Sequence, residues 1–269
     1  MNPMNGTLVF SHGNSFPAGT YRQLLDIWAE AGLTVRAVPM FGHDPAYPVA
    51  SNWRALRDQL IQFIEDQQAG EPVWLVGHSL GGLLSLMAAC RRPDLARGLV
   101  MLDSPVITGW RAQSVAVFKR SGLIRKVSPG KVAQQRRHHW PDLASVKQHF
   151  ASKPVFARWD PRVLDDYVAA GFVEAPQGGV QLRFSREVET RIYNTLPDHL
   201  GALLRRHPPR CPVGFIAGTQ SAEMRQGGTA AARALAQHRF VRFEGTHLYP
   251  MERPQDTAQQ VLALLADMA

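Results

Sequence analysis

A serine set between glycines carries the clearest chemistry in this chain. Ser79 is the centre of the pentapeptide Gly77-His78-Ser79-Leu80-Gly81, which follows the apolar run 72–76 and precedes a stretch rich in Leu and Ala. A strand–turn–helix here strains the serine backbone and presents its Oγ at the positive end of a helix. A Cβ at Gly77 or Gly81 would collide with a facing strand or helix. The pattern predicts that Ser79 is a nucleophile.

A serine hydroxyl needs a general base, and that base needs an acceptor that holds its tautomer. The chain has 10 histidines, and His247 follows the apolar run 240–243 close to the C-terminus. A loop after a strand is a suitable place from which an imidazole can reach Ser79. We therefore expect His247 to be the base, and the other histidines to have structural or surface roles.

The sequence leaves two carboxylates as candidates for the acid that would hold His247. Asp103 ends the apolar run 98–102, whereas Glu223 lies in the loop after the apolar run 213–217. We favour Asp103, keep Glu223 as the alternative acid, and regard Asp198 and Glu244 as weaker options.

The loop 11–17 follows the first apolar run, 7–10, and contains the sequence Ser-His-Gly-Asn-Ser. Such a loop can aim a backbone N–H at a pocket, and the N–H of the residue after the nucleophile can join it in an oxyanion hole. We expect the N–H groups of Asn14 and Leu80 to play this part, with that of Ser15 as a further candidate. His12 is expected to brace the loop.

Strand and helix patterns alternate along 1–105 and again along 210–269, which predicts an α/β fold with a mostly parallel, doubly wound sheet. The second part includes an Ala-rich helix over 224–236. Between these parts, residues 106–209 show few strand signals and are compatible with helices, so we expect a helical lid inserted into the core. Its aromatic residues are expected to form mostly the lid core. Its basic residues are expected to be mostly solvated, a few of them steering an anionic substrate: Lys119, Arg120, Arg125, Lys126, Lys131, Arg136 and Arg137.

Composition narrows the class of protein. The 269 residues are 45% apolar, carry a formal net charge of +8 and include 2 cysteines. We expect no signal peptide, no membrane span and no disulfide framework, and hence a cytoplasmic enzyme with a basic surface. No nucleic-acid module is visible, and His138-His139 is expected to be solvated, not to bind metal. The oligomeric state is open, a homodimer being one option.

Taken together, the chain resembles the α/β-hydrolase superfamily, and in particular its serine esterase and lipase-like branch with a lid domain. The matching residues are 11–14, 77–82, Asp103 and 245–247. The departure from the family pattern is Ser221 at the usual position of the acid. The resemblance implies an acyl-enzyme mechanism on a small-molecule acyl substrate, without cofactor or metal. The alternatives are a carbon–carbon hydrolase, a thioesterase or an acyltransferase with the same residues, or a non-catalytic binding protein.

Overall fold

A computed structural model describes residues 5–67, 70–121 and 129–269, so that Arg125 and Lys126 lie outside the described residues. The strands are β1 (Thr7–Ser11), β2 (Thr34–Ala37), β3 (Val73–His78), β4 (Ala96–Leu102), β5 (His139–Trp140), β6 (Phe172–Glu174), β7 (Val180–Leu182), β8 (Val213–Gly218) and β9 (Phe240–Phe243).

The α-helices are α1 (Arg22–Glu30), α2 (Arg54–Gln67), α3 (Leu80–Arg91), α4 (Gly109–Arg120), α5 (Gly130–Gln135), α6 (Leu143–Ala151), α7 (Pro161–Gly171), α8 (Arg186–Asn194), α9 (Leu200–Arg206), α10 (Ala222–Gly227), α11 (Ala230–Ala236), α12 (Tyr249–Glu252) and α13 (Pro254–Met268). Short 3₁₀ turns cover Ala18–Tyr21, Ser51–Trp53, Pro93–Leu95, Phe156–Arg158 and Gln237–Arg239. Among these described helices, none combines the length and the apolar character that crossing a membrane requires.

The main sheet has six strands in the order β2-β1-β3-β4-β8-β9, and every neighbouring pair is parallel. The predicted α/β fold with a mostly parallel sheet is confirmed. Strands β2 and β3 flank β1 on opposite sides, so the winding reverses there, and ligands of open α/β sheets bind where the strand order reverses, beyond the carboxyl ends. Ser79 and Asp103 directly follow β3 and β4 at that edge.

Helices cover both faces of the sheet because successive strand residues point to opposite sides. Val9 packs in a core with residues of α2 and α3, while its neighbours Leu8 and Phe10 pack in a second core with residues of α1 and α13. Strand β3 is buried along its whole length. A central strand buried on both faces makes a rigid base for the turn that follows it.

The inserted segment, residues 106–209 between β4 and β8, is not wholly helical, contrary to expectation. Strands β5, β7 and β6 form a small antiparallel sheet inside it. The turn before β7 contains Gly178 and Gly179 with φ of +88° and +74°, values that glycine adopts without strain. Strands of two or three residues are too short to show alternation in a sequence, so the glycine pair was the only signal.

Aromatic side chains of the inserted segment divide into two groups. Trp140, Phe150, Tyr167 and Phe172 are buried and contact one another as rings, as expected for the core of this segment. By contrast, Trp110 and Phe118 on α4 are 70% and 39% exposed. The aromatics of the inserted segment are thus mostly internal, as expected, with the two on α4 as exceptions.

One further expectation is wrong. The predicted helix over 224–236 is two helices, α10 and α11, because Gly228 adopts φ +79° between them. The basic residues of segment 106–209 were expected to be mostly solvated, and Lys131 and Arg137 are exposed. Lys119 is an exception, since its side chain is 11% exposed and its Nζ lies 2.9 Å from Asp198 Oδ2. An apolar helix face is readable from spacing, whereas such a pairing across 79 residues is set by the tertiary fold.

Candidate active site

The backbone of Ser79 is strained, as the pentapeptide predicts. Its φ of 52° and ψ of −114° lie in a region that residues other than glycine rarely adopt. Ser79 N donates to the carbonyl of Leu102 at 2.9 Å, which ties the turn to the end of β4. The residue precedes α3, so its Oγ lies at the N-terminal end of that helix.

The glycines of the turn are required by close backbone approach. A Cβ at Gly81 would lie 1.9 Å from the carbonyl oxygen of Ser11, and one at Gly77 would lie 2.4 Å from the carbonyl carbon of Gly81. A Cβ at Gly82 would meet Ser104 Oγ at 2.0 Å. The expected collision with a facing strand or helix is confirmed, and the three glycines let α3 pack directly on β1 and β4.

Three of the candidate side chains form a continuous hydrogen-bonded line. Ser79 Oγ lies 3.0 Å from His247 Nε2, and His247 Nδ1 lies 2.6 Å from Asp103 Oδ2. The carboxylate is an acceptor, so Nδ1 carries the ring proton and Nε2 is free to accept the serine proton. The structure thus brings together residues that are 168 and 144 positions apart.

Asp103 is fully buried and tightly held. Its Oδ1 accepts from Gly218 N at 2.6 Å, and its Oδ2 accepts from Ser221 Oγ at 2.5 Å as well as from His247. Its φ is +42°, a second strained residue at this edge of the sheet. Ser221, which stands where an aspartate was expected, therefore supplies a donor to the carboxylate instead of the carboxylate itself.

The other three acids are placed differently. Glu223 Oε2 lies 3.9 Å from His247 Nδ1, beyond hydrogen-bond distance, and its side chain is 48% exposed. Asp198 pairs with Lys119, and Glu244 pairs with Arg253. Among the carboxylates weighed from the sequence, Asp103 is the one in hydrogen-bond contact with His247.

Several contacts set the charge and position of His247. Burial lowers the pKa of His247, but the hydrogen bond and charge of Asp103, together with the charge of Glu223, outweigh burial and raise the pKa above 6.5. Its loop is held by Thr246, whose N and Oγ1 donate to Glu252 at 3.1 and 2.5 Å. The imidazole is thus held directly by Asp103, and its loop is held through Thr246 by Glu252.

A second buried histidine links the two loops of the site. His78 Nε2 donates to the carbonyl of His247 at 2.9 Å, which leaves His78 Nδ1 to accept from Tyr21 OH at 2.7 Å. Tyr21 OH in turn accepts from Gly13 N at 3.1 Å. Burial, followed by the neighbouring His247, keeps the pKa of His78 well below 6.5, so the ring is neutral near pH 7. The sequence pattern did not predict this relay.

The loop after β1 carries the candidate oxyanion donors. His12 braces it as expected, because its Nε2 accepts from Phe41 N at 2.9 Å, and burial lowers the pKa of His12 to about 4. Ser15 has φ +76°, a third strained residue. In the described part of the chain, the backbone N–H groups of Asn14, Ser15 and Leu80 donate no hydrogen bond, so each is free to donate to a ligand oxygen.

The inserted segment contributes a charged pair beside this loop. Asn14 Nδ2 donates to the backbone oxygen of Glu189 at 3.3 Å, and Glu189 Oε2 lies 3.3 Å from Arg136 Nε. Burial raises the pKa of Glu189, and the charge of Arg136 opposes that rise. Segment 106–209 therefore reaches the loop that holds the candidate oxyanion donors.

The three residues Asp103, Glu223 and His247 also have the composition of a metal site. Their ligand atoms lie within 4.8 Å of one another. The 2.6 Å contact between His247 Nδ1 and Asp103 Oδ2 leaves no space for a cation between these two atoms. The hydrogen bond accounts for their proximity.

Most of the chain matches a known protein family. The model of the alpha/beta hydrolase family matches residues 8–260. The chain belongs to the alpha/beta hydrolase family. Among solved structures, that of E-2-(acetamidomethylene)succinate hydrolase superposes with a TM-score of 0.74 at 20% identity, covering 98% of this chain and 92% of the other. At that identity the likeness shows the alpha/beta hydrolase fold alone.

Curated relatives of this alpha/beta hydrolase cover part of its length. The monoglyceride lipase homolog of Monkeypox virus is 26% identical over 175 residues, which are 61% of this chain and 59% of that protein. The monoglyceride lipase of Homo sapiens is 30% identical over 119 residues, which are 42% of this chain and 39% of that enzyme. The chain therefore spans between about two fifths and three fifths of these relatives.

Proposed function

We propose that this chain is a serine-dependent hydrolase that cleaves a carboxylic ester through Ser79, His247 and Asp103. The observation that carries the proposal is the unbroken line from Ser79 Oγ to His247 Nε2 at 3.0 Å and from His247 Nδ1 to Asp103 Oδ2 at 2.6 Å. This is the arrangement that a weak hydroxyl nucleophile needs, since the base is within reach and its tautomer is held by the acid.

The reaction proceeds in two halves. Ser79 Oγ attacks the ester carbonyl while its proton moves to His247 Nε2, and the carbonyl oxygen becomes an oxyanion held by the N–H groups of Asn14 and Leu80. His247 then gives the proton to the leaving alcohol, and an acyl-enzyme is formed. Water repeats the sequence, which releases the acid and regenerates Ser79.

The charge distribution supports these roles. Asp103 is buried and accepts three hydrogen bonds, which hold its carboxylate in place to stabilise the imidazolium that forms on His247. The N-terminus of α3 adds a favourable field for the oxyanion. Since the relatives include proteins named monoglyceride lipase, a small or medium acyl ester is the substrate that we propose.

Hydrolysis of p-nitrophenyl acyl esters of increasing chain length tests the proposal. We expect measurable turnover by the unaltered protein and a loss of roughly 10³-fold or more in Ser79→Ala. Equal activity of the two proteins at every chain length would contradict it. Covalent labelling by a fluorophosphonate, abolished in Ser79→Ala, is the matching test that does not depend on choosing the right ester.

The same line of side chains would also serve a thioesterase, a carbon–carbon hydrolase or an acyltransferase. The acyl-enzyme distinguishes transfer from hydrolysis, because a transferase passes its acyl group mainly to an added alcohol, whereas a hydrolase passes it mainly to water. A non-catalytic binding protein was suggested by Ser221 at the expected acid position. The 2.6 Å contact of Asp103 with His247 argues against that reading, because it supports Asp103 as an acid supplied from another position in the chain.

A further inference from the structure

A cleft of about 310 Å³ lies beside the carboxyl end of β8, next to α10, α11 and β9. Its lining includes Arg225, Arg233 and Arg242, together with Thr219 and Thr229. None of the described residues that line it is Asp or Glu. The cleft therefore gathers three guanidinium groups with no acidic residue in its walls.

These guanidinium groups are not neutralised elsewhere. Some cations of the described chain have a carboxylate partner, as Lys119 has Asp198. Within ranges 5–67, 70–121 and 129–269, none of the three arginines forms an ion pair with a carboxylate. Arg225 donates to the backbone oxygen of Gln220 at 3.2 Å. Arg233 lies over the ring of Phe240 at 4.1 Å. Both contacts orient a guanidinium without cancelling its charge.

A fourth guanidinium lies at the rim. A Cβ at Gly228, which has φ +79°, would lie 3.0 Å from Arg111 Nη1. Gly228 is a lining residue of the cleft, so Arg111 adds positive charge at this wall. Guanidinium groups that lie together without an ion pair to a carboxylate repel one another, and a bound anion removes that repulsion.

Phosphate is the anion that this arrangement suits. Arginine presents parallel N–H donors that match the oxygens of a phosphate in pairs. Threonine hydroxyls supply further donors. We propose that this cleft binds the phosphate group of a small molecule through Arg225, Arg233 and Arg242.

The cleft adjoins the candidate active site but is separate from it. Gly218 and Ser221 line the cleft, and both also donate to the carboxylate of Asp103. Neither Ser79 nor His247 is among its lining residues. The binding inference consequently holds whether or not the chain is an esterase, and it can be tested on protein without a nucleophile.

Titration calorimetry with inorganic pyrophosphate tests the proposal on the full chain. We expect one saturable site, with affinity weakened at least about tenfold in the triple variant Arg225→Gln, Arg233→Gln, Arg242→Gln. A control triple variant removes the same charge from exposed positions elsewhere, at Arg205, Arg206 and Arg210. It should change the affinity by no more than about twofold.

Equal weakening by the two triple variants would show a general charge effect and overturn the proposal, as would the absence of saturable binding. The single variant Arg242→Gln, expected to show an intermediate loss, keeps the test open if the triple variant does not fold. Glycerol 3-phosphate and phosphatidylglycerol vesicles distinguish the source of the phosphate. Binding to vesicles alone would overturn a small-molecule site. Unchanged pyrophosphate affinity in Ser79→Ala separates this result from that of the esterase assay.

Discussion

Replacing Asp103 by Asn perturbs the acid of the proposed triad in a way that the hydrogen bonds define. Gly218 N–H donates to Oδ1 of Asp103. The amide oxygen of Asn must therefore face Gly218, because an amide NH₂ in that position would place two hydrogen-bond donors against each other. The amide NH₂ then faces His247 Nδ1 and Ser221 Oγ. It donates to Nδ1, and the ring proton moves to Nε2. A ring protonated there cannot take the proton of Ser79.

The loss of kcat that we expect in Asp103→Asn follows from that tautomer. In triads of this kind, the loss of the acid lowers kcat by roughly 10³- to 10⁴-fold, or about 4–5.5 kcal/mol of barrier. The matched control is Glu223→Gln. Glu223 lies 3.9 Å from His247 Nδ1 with its side chain 48% exposed, and ion pairs screened by solvent in this way typically contribute about 1 kcal/mol or less. We therefore expect a change of less than about tenfold in kcat for that variant.

The pH dependence gives Glu223→Gln a readout of its own. Burial lowers the pKa of His247, while Asp103 and then Glu223 raise it, with a net rise above 6.5. The base works in its neutral form, so activity is lost as the pH falls through this raised pKa. Removing the charge of Glu223 lowers the pKa of His247. The acid limb of the pH–rate profile should move to lower pH.

The assay is kcat on the best p-nitrophenyl ester for both variants, with circular dichroism to establish that each is folded. The rate of fluorophosphonate labelling should fall in parallel with kcat, since both need the deprotonated serine. The reasoning would be refuted if Asp103→Asn kept kcat within about tenfold of the unaltered protein while Glu223→Gln lost 10³-fold or more. That outcome would assign the acid to Glu223.

Three further substitutions test the supports of the site. Ser221→Ala removes a donor to the buried acid and should lower kcat by roughly 10- to 100-fold with KM unchanged; Ser221→Thr, which keeps the hydroxyl, should restore most of it. Tyr21→Phe leaves Gly13 N–H without its acceptor, so urea denaturation should show a loss of about 2 kcal/mol in the free energy of unfolding. Gly81→Ala places a Cβ 1.9 Å from a backbone oxygen and should cost about 3 kcal/mol or more by the same measurement. Gly201→Ala is the control: the nearest atom is 3.5 Å from its new Cβ, so this variant should be at least as stable as the unaltered protein.

Local chemistry in the sequence was enough to predict the fold class and the elements that carry the site. Apolar runs of strand length alternate with helical spacing, and a parallel sheet follows from that order. The glycines around Ser79 predicted a turn in which a Cβ has no room, because a tight turn restricts its immediate neighbours. His247 was singled out by its place after the last strand.

Tertiary structure decided what depends on distances between remote segments. Asp103 and Glu223 are equally acidic in a sequence, and only the folded chain separates 2.6 Å from 3.9 Å at His247 Nδ1. The role of Ser221 as a donor to Asp103 was hidden for the same reason, since the two residues are 118 positions apart. The short strands of the inserted segment form through pairing with one another, not through their own pattern. Sequence periodicity reports which side of an element is buried, whereas hydrogen-bond partners across the chain are set by packing.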